Sequence, residues 1–334
     1  MTAQVSEYRA WRVHQTDDGF VGREEVCQVA DLPAGEVLIR VNHSSLNYKD
    51  ALSAAGNKGV TRQYPHTPGI DAAGLVVESA TPEFAPGDAV IVTGYDLGMN
   101  SPGGFGEYIR VPAGWVVPLP ADWSSRLAMV YGTAGLTAGL CVDKLLQAGL
   151  KPGDGPVLVT GASGAVGSIA TELLAKLGYE VVAMTGKADK HDWLKSLGAT
   201  SVIGRESLAA QPKPMLKTVY AGGVDTVGGD VLAEFLKQVQ PGGSVACCGL
   251  VAGAQLNTTV LPFILRGVNL LGVDSVEIER DDKAAIWQLL SGDWACPGAE
   301  GSFVEIGRDG LATALKAFLG GSSAGKVVLD HARS

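Results

Sequence analysis

Residues 157–167 read VLVTGASGAVG. A short apolar run with β-branched residues enters a glycine-rich turn, and the turn opens into the helix-forming sequence GASGAVGSIATELLAKLG (161–178). Ala162, Gly164 and Gly167 fit the G-x-G-x-x-G frame of a dinucleotide fingerprint, with Ala in the first place. In such a frame a small residue makes the tight turn. The middle glycine lets a pyrophosphate approach the backbone, and the last glycine lets helix and strand pack closely. Free N–H groups and the helix dipole then favour an anion. A further strand, YEVVAMT (179–185), follows, as a βαβ unit requires.

Apolar strands and helices go on alternating downstream. HDWLKSLG (191–198) reads as a helix, TSVIG (200–204) and VDTV (224–227) as strands, and VLAEFLKQV (231–239) as a helix. GGSVACCG (242–249) and NLLGVDS (269–275) continue the pattern. Upstream, RLAMVYGTAGLTAGLCVDKLLQAG (126–149) reads as one helix stopped by Pro152-Gly153. This is the signature of a parallel sheet covered on both faces. Before Ser124 the chain changes character. VLIRV (37–41), LVVE (75–78), AVIV (89–92) and WVVPLP (115–120) are short extended runs bounded by Pro and Gly turns, with no room for long helices. KVVLD (326–330) reads as a strand that returns to this first part. The expected fold is α/β: a doubly wound Rossmann domain over 125–276, and a β-rich domain made of 1–124 and 277–334.

The end of the second strand selects the cofactor. Binders of NAD usually carry Asp or Glu there, about 20 residues on, for the ribose 2′-hydroxyl. Here the segment is AMTGKADK, with no acid before Asp189. Thr185 and Lys187 offer a hydroxyl and a cation instead, so NADPH is the expected cofactor.

Two other readings of the turn fail. A short-chain dehydrogenase needs a downstream Y-x-x-x-K pair, but Tyr179 and Tyr220 are followed four places on by Ala183 and Val224. A G-x-S-x-G hydrolase elbow with Ser163 as nucleophile has Ala165 in place of its last glycine.

Composition bounds the rest. The 334 residues are 46% hydrophobic and 18% charged, which suits about two globular domains. A net charge of −9 without basic blocks argues against nucleic acid or anionic membrane as a partner. Cys27, Cys141, Cys247, Cys248 and Cys296 show neither C-x-x-C pairs nor zinc-ligand spacing, which points to a reducing, cytoplasmic compartment. The start MTAQVSEYRAW lacks a signal pattern, and no apolar run reaches the ~18 residues of a membrane helix.

With these motifs in place, the chain resembles the medium-chain dehydrogenase/reductase superfamily from end to end. A GroES-like domain is followed by the A-x-G-x-x-G turn and a C-terminal return. SSLNYKDAL (44–52), PGIDAAG (68–74), GTAGLTA (132–138), VTGASGAVGS (159–168), LKSLGA (194–199) and PFILRGVNLLGVDS (262–275) resemble its zinc-free, quinone-oxidoreductase-like branch, and within it the NADPH-dependent acrylyl-CoA reductases. Zinc alcohol dehydrogenases place Cys where Asn47 stands and G-H-E where Gly69-Ile70-Asp71 stands, so no metal is implied. The resemblance implies reduction of acrylyl-CoA to propionyl-CoA, with hydride to the β-carbon and a proton to the α-carbon, at an active site in the interdomain cleft. The runner-up is a broad NADPH-dependent quinone or enone reductase. An NADPH-binding regulatory protein without turnover is the reading from another class.

The resemblance also implies roles. Ser163, Gly164, Ala165 and Val166 would contact the pyrophosphate. Thr185, Gly186 and Lys187 would hold the 2′-phosphate with Arg205 nearby, although the family usually has Ser and Arg at the first and third of those places. Leu250, Ile264 and Ser275 would line the nicotinamide pocket, and Tyr48 would lie against the cofactor. Asn47, Tyr48 and Lys49, with Asp50 as their orienter, form the polar cluster available to an enolate oxygen and to proton delivery. Asp71 is expected to be structural. NLLGVDS resembles the edge strand through which related enzymes pair, so a homodimer is expected.

Overall fold

The computed structural model describes residues 5–321 and 325–333, so the first four residues of the start motif lie outside it. Contacts divide the chain into two units. One comprises residues 1–133, 276–291 and 302–334, and the other comprises 134–275 and 292–301. Relative to the division expected from sequence, residues 125–133 and 276 fall in the first unit and 292–301 in the second.

The first unit opens with a hairpin of β1 (Glu7–Thr16) and β2 (Gly19–Gln28), a two-stranded sheet in register from Glu7↔Gln28 to Thr16↔Gly19. Next come β3 (Val37–Ser45), α1 (Tyr48–Ala54), β4 (Asp71–Ser79), β5 (Ala89–Thr93), β6 (Tyr108–Val111) and β7 (Val116–Pro118). The helix α2 (Ser125–Gln147) carries the chain into the second unit.

The second unit is a run of βα elements: β8 (Val157–Val159), α3 (Ala165–Lys176), β9 (Val181–Met184), α4 (His191–Ser196), β10 (Ser201–Ile203), β11 (Tyr220–Asp225), α5 (Gly229–Leu236), β12 (Val239–Cys247), α6 (Leu261–Arg266) and β13 (Asn269–Gly272). Then follow α7 (Arg280–Ser291), α8 (Pro297–Glu300), β14 (Phe303–Ile306), α9 (Leu311–Leu319) and β15 (Lys326–Asp330).

The second unit's sheet is parallel throughout, in the order β10-β9-β8-β11-β12-β13. This is the doubly wound 3-2-1-4-5-6 order, whose switch point lies between β8 and β11. Val157, Leu158 and Val159 are fully buried, as strands covered on both faces must be. The first unit's sheet runs β14-β15-β3-β4-β5-β7, with β6 also on β3. KVVLD is its strand β15, antiparallel to β3 with Val328 opposite Ser45. A core of Val37, Ile39, Val41, Ala72, Val76, Val90, Val92 and Ile109 fills one side of that sheet.

Two expected elements are corrected. The single helix over 126–149 is interrupted: Gly132 has φ 51° and ψ −156°, outside helical geometry. The strand read as 224–227 is β11, which begins at Tyr220 and ends at Asp225. Gly222 and Gly223 hide its first half from a hydropathy reading. They are required there, because a Cβ on either would strike the backbone of a neighbouring strand, at Ser244 or Leu158. Among the described residues no helix is long and apolar enough to cross a membrane.

Candidate functional site: a dinucleotide cradle and a buried aspartate pair

In the second unit the fingerprint turn forms as its residue types demand. Gly164 is the N-cap of α3, has extended backbone (φ −80°, ψ 172°) and makes no side-chain cap. The first-turn N–H groups of a helix have no intrahelical partner. With no capping side chain, Ala165 and Val166 begin an open anion site beside the exposed Gly164. A Cβ on Gly167 would fall on the Gly161 carbonyl and 2.8 Å from Ala162 Cα, so only glycine lets the helix sit this close to the turn. The Ala162 N–H donates to Met184 O at 2.9 Å and ties the turn to the end of β9.

That strand end is where selectivity is expected. Thr185 Oγ1 and Ser163 Oγ share a hydrogen bond of 2.7 Å, and the Lys187 N–H donates to Thr185 Oγ1 at 3.1 Å. Since β10 pairs with β9 up to Ile203↔Met184, the chain just past β10 runs beside Gly186. A Cβ on Gly186 would meet Arg205 Nε at 2.5 Å and Cζ at 2.8 Å, so the guanidinium lies against that glycine. Ser163, Thr185, Gly186, Lys187 and Arg205 are therefore brought together, with Gly186 and Arg205 exposed. This is a cationic, hydroxyl-bearing cluster with glycine where a ribose-binding carboxylate would clash with a phosphate.

The switch point holds a residue that sequence reading missed. Asp225 ends β11, fully buried. It accepts from Thr160 Oγ1 and from the Gly228 N–H, each at 2.7 Å. Burial pushes its carboxyl above the usual carboxylate range against those donors. It joins the ends of β8 and β11, where nucleotides bind in such sheets. Its signal was the acid closing an apolar strand. Of the other expected pocket residues, Leu250 follows β12 and Ile264 lies on α6, both largely exposed, while Ser275 is buried and accepts from Thr137 Oγ1 at 2.8 Å.

In the first unit, NYKD starts α1. Asn47 is the N-cap, and Tyr48 is the first helical residue. Asp50 is fully buried. Its Oδ2 takes the Asn47 N–H at 2.7 Å, and its Oδ1 takes the Gly69 and Ile70 N–H groups at 3.1 and 2.9 Å. Burial, with the nearby Asp71 charge, pushes Asp50 up to about 7 against the pull of these donors. Asn47 Nδ2 donates to Asp71 Oδ2 at 2.9 Å. The Asn47 amide and Asp50 are thus committed to holding the helix start together. Tyr48 is 46% exposed, and among the described residues its hydroxyl has no hydrogen-bond partner. Lys49 is half-buried beside it. Asn47 and Asp50 brace the helix start, and the Tyr48 side chain is left exposed.

Family models place these features. Residues 33–121 match the alcohol dehydrogenase GroES-like domain, and 165–292 match a model described as zinc-binding dehydrogenase. The probable acrylyl-CoA reductase AcuI of Escherichia coli is 47% identical over 285 residues, covering 85% of this chain and 88% of that one. The putative quinone oxidoreductase YhfP of Bacillus subtilis is 48% identical over 287 residues, covering 86% and 87%. Its solved structure, with NAD bound, matches with a TM-score of 0.94 over 98% of this chain and 100% of the other, at 44% identity. The YhdH oxidoreductase of Salmonella enterica, solved with NADP, matches with a TM-score of 0.93 at 44% identity over 96% and 99%. The fold order, the fingerprint turn and these identities lead to one assignment: the chain belongs to the medium-chain dehydrogenase/reductase superfamily, within its acrylyl-CoA reductase family.

Proposed function

We propose that this chain is an NADPH-dependent acrylyl-CoA reductase that saturates the C=C bond of the acrylyl thioester to give propionyl-CoA. The observation that carries the cofactor is the Thr185–Gly186–Lys187–Arg205 edge, with two cations and no carboxylate at its glycine. The substrate rests on the names of the relatives, AcuI foremost.

The residues divide the work. The uncapped start of α3 and Ser163 hold the pyrophosphate, and Arg205 and Lys187 hold the 2′-phosphate. Leu250, Ile264 and Ser275 would line the nicotinamide end of the bound cofactor. Bound NADPH supplies the hydride that the β-carbon receives. Tyr48 donates a hydrogen bond to the oxygen on which enolate charge develops, and it delivers the α-proton directly or through water. Lys49 adds positive charge beside it.

The test is isotopic. With NADPH deuterated at the transferable position, acrylyl-CoA should yield propionyl-CoA carrying one deuterium at C3. In D2O with ordinary NADPH the label should appear once at C2. Label at C2 from the nucleotide would refute the polarity.

The name of YhfP supports the second reading, a reductase of quinones or enones with the same cofactor. We further propose a cytoplasmic homodimer. Among the described residues β13 is the outer strand of its sheet and pairs only with β12, and Val251, Val260 and Leu265 expose more than half of their surface nearby in sequence. A monomer of 334 residues in sedimentation would exclude the dimer.

A further inference from the structure

Asp71 opens β4 and has no exposed surface, yet four donors converge on it. Asn47 Nδ2 reaches Oδ2 at 2.9 Å and the Thr133 N–H reaches it at 2.8 Å; Ser45 Oγ donates to the same oxygen. Thr133 Oγ1 donates to Oδ1 at 2.5 Å. A carboxylate accepts about four hydrogen bonds, and this one has four, three of them on Oδ2. Because both oxygens accept, the Asn47 amide must turn its NH2 toward Asp71. Chemistry fixes the orientation that geometry alone leaves open.

The break in α2 serves this contact. At Gly132 the chain leaves helical geometry, and the Thr133 N–H becomes available to Asp71. A Cβ at 132 would fall on Ser45 Oγ and 2.8 Å from Asp71 Oδ2. The end of β3, the start of β4, the start of α1 and Thr133 just past the break in α2 therefore meet at one carboxylate. Asn47 is held twice: its side chain by Asp71 and its N–H by Asp50. The next residue is Tyr48, whose hydroxyl has no bond of its own to fix it.

We infer that Asp71 is a positioning residue, which with Thr133 fixes the Asn47 amide and through it the direction in which Tyr48 presents its hydroxyl. The inference rests on the reading of Tyr48 given above. It assigns to the Asp71 position a task other than metal support.

A double-mutant cycle tests it, read on whichever of acrylyl-CoA and a simple quinone the wild type reduces. Asp71→Asn removes the charge and replaces one of the two acceptor oxygens with an NH2. It should lower kcat about 10- to 100-fold, the scale of losing a hydrogen bond to a charged acceptor. The Kd for NADPH, from nucleotide fluorescence, should stay within about twofold, because among the described residues no hydrogen bond of Asp71 involves a residue of the cradle. Tyr48→Phe should lower kcat as well, and adding Asp71→Asn to it should cost little more. Should Asp71→Asn fail to fold, Thr133→Val removes only the Oγ1 bond. It should cost about 3- to 10-fold in the wild-type background and nothing in Tyr48→Phe. Additive losses would overturn the positioning role while leaving Tyr48 its own. Full activity of Tyr48→Phe would overturn both.

Discussion

Arg205→Ala should weaken NADPH and spare NADH. The guanidinium lies against Gly186, at the strand end where a 2′-phosphate is expected, and no protein carboxylate pairs with it in a salt bridge among the described residues. One unit charge at 4 Å contributes about 1 kcal/mol in water and about 4 kcal/mol at an effective dielectric of 20. Arg205 is exposed, so the lower part of that range applies. We take about 1–2 kcal/mol, or a rise of about 5- to 30-fold in the Kd for NADPH. Lys187 remains and keeps a residual preference. Adding Lys187→Ala should bring the two nucleotides within a few fold of each other. The assay is fluorescence titration of each variant with NADPH and NADH at low and high salt. The NADPH difference should shrink as salt screens the pair. Equal weakening of both nucleotides, or no change in either, would refute the assignment of Arg205 to the 2′-phosphate.

Other outcomes follow from single contacts. Gly167→Ala forces a methyl onto the Gly161 carbonyl and the Ala162 backbone, which cannot swing away as a side chain can. It should destabilise the second unit by roughly 1–3 kcal/mol in urea unfolding and abolish tight NADPH binding. In the first unit Asp50 and His331 oppose each other in the pH profile of stability, and His43 and His66, also lowered by burial, act in the sense of His331. Asp50 is raised by burial to about 7 from 3.8, so its contribution is full below about pH 4 and is lost as pH rises through 7. His331 is lowered by burial to about 4 from 6.5, so its contribution grows between those values as pH rises. Each gives a slope of about 1.4 kcal/mol per pH unit, and the two nearly cancel from pH 4 to 6.5. Asp50→Asn removes one of them. The variant should gain stability over that interval by up to about 3 kcal/mol relative to wild type, read as urea midpoints at pH 4.5, 5.5 and 6.5. Parallel midpoints would contradict the assignment.

The parts that were legible in the sequence are local. The turn from Gly161 to Gly167 carries its own geometry, and the absence of an acid at Thr185–Gly186–Lys187 is visible in three letters. The βα alternation from Val157 to Gly272 reads directly because buried parallel strands are continuous apolar runs. What was hidden depends on which segment meets which. Asp71 lies 24 positions from Asn47 and 62 from Thr133, so only the pairing of β3, β4 and the break in α2 reveals it as a hub. The break itself rests on one glycine inside a strong helical pattern. Gly222-Gly223 mask half of β11 for a related reason: close backbone approach demands residues that carry no hydropathy signal. The hairpin over Glu7–Gln28 escaped because much of β2 is exposed and its alternation is mixed with charge.

The most direct measurement is the rate of NADPH oxidation at fixed enzyme with acrylyl-CoA, crotonyl-CoA and a simple quinone in parallel, repeated with NADH. The account predicts the largest kcat/KM for acrylyl-CoA with NADPH, and a much smaller value with NADH. Turnover of the quinone alone would contradict the thioester assignment and leave the cofactor standing. Tight NADPH binding without turnover of any of the three would contradict catalysis and point to a regulatory role.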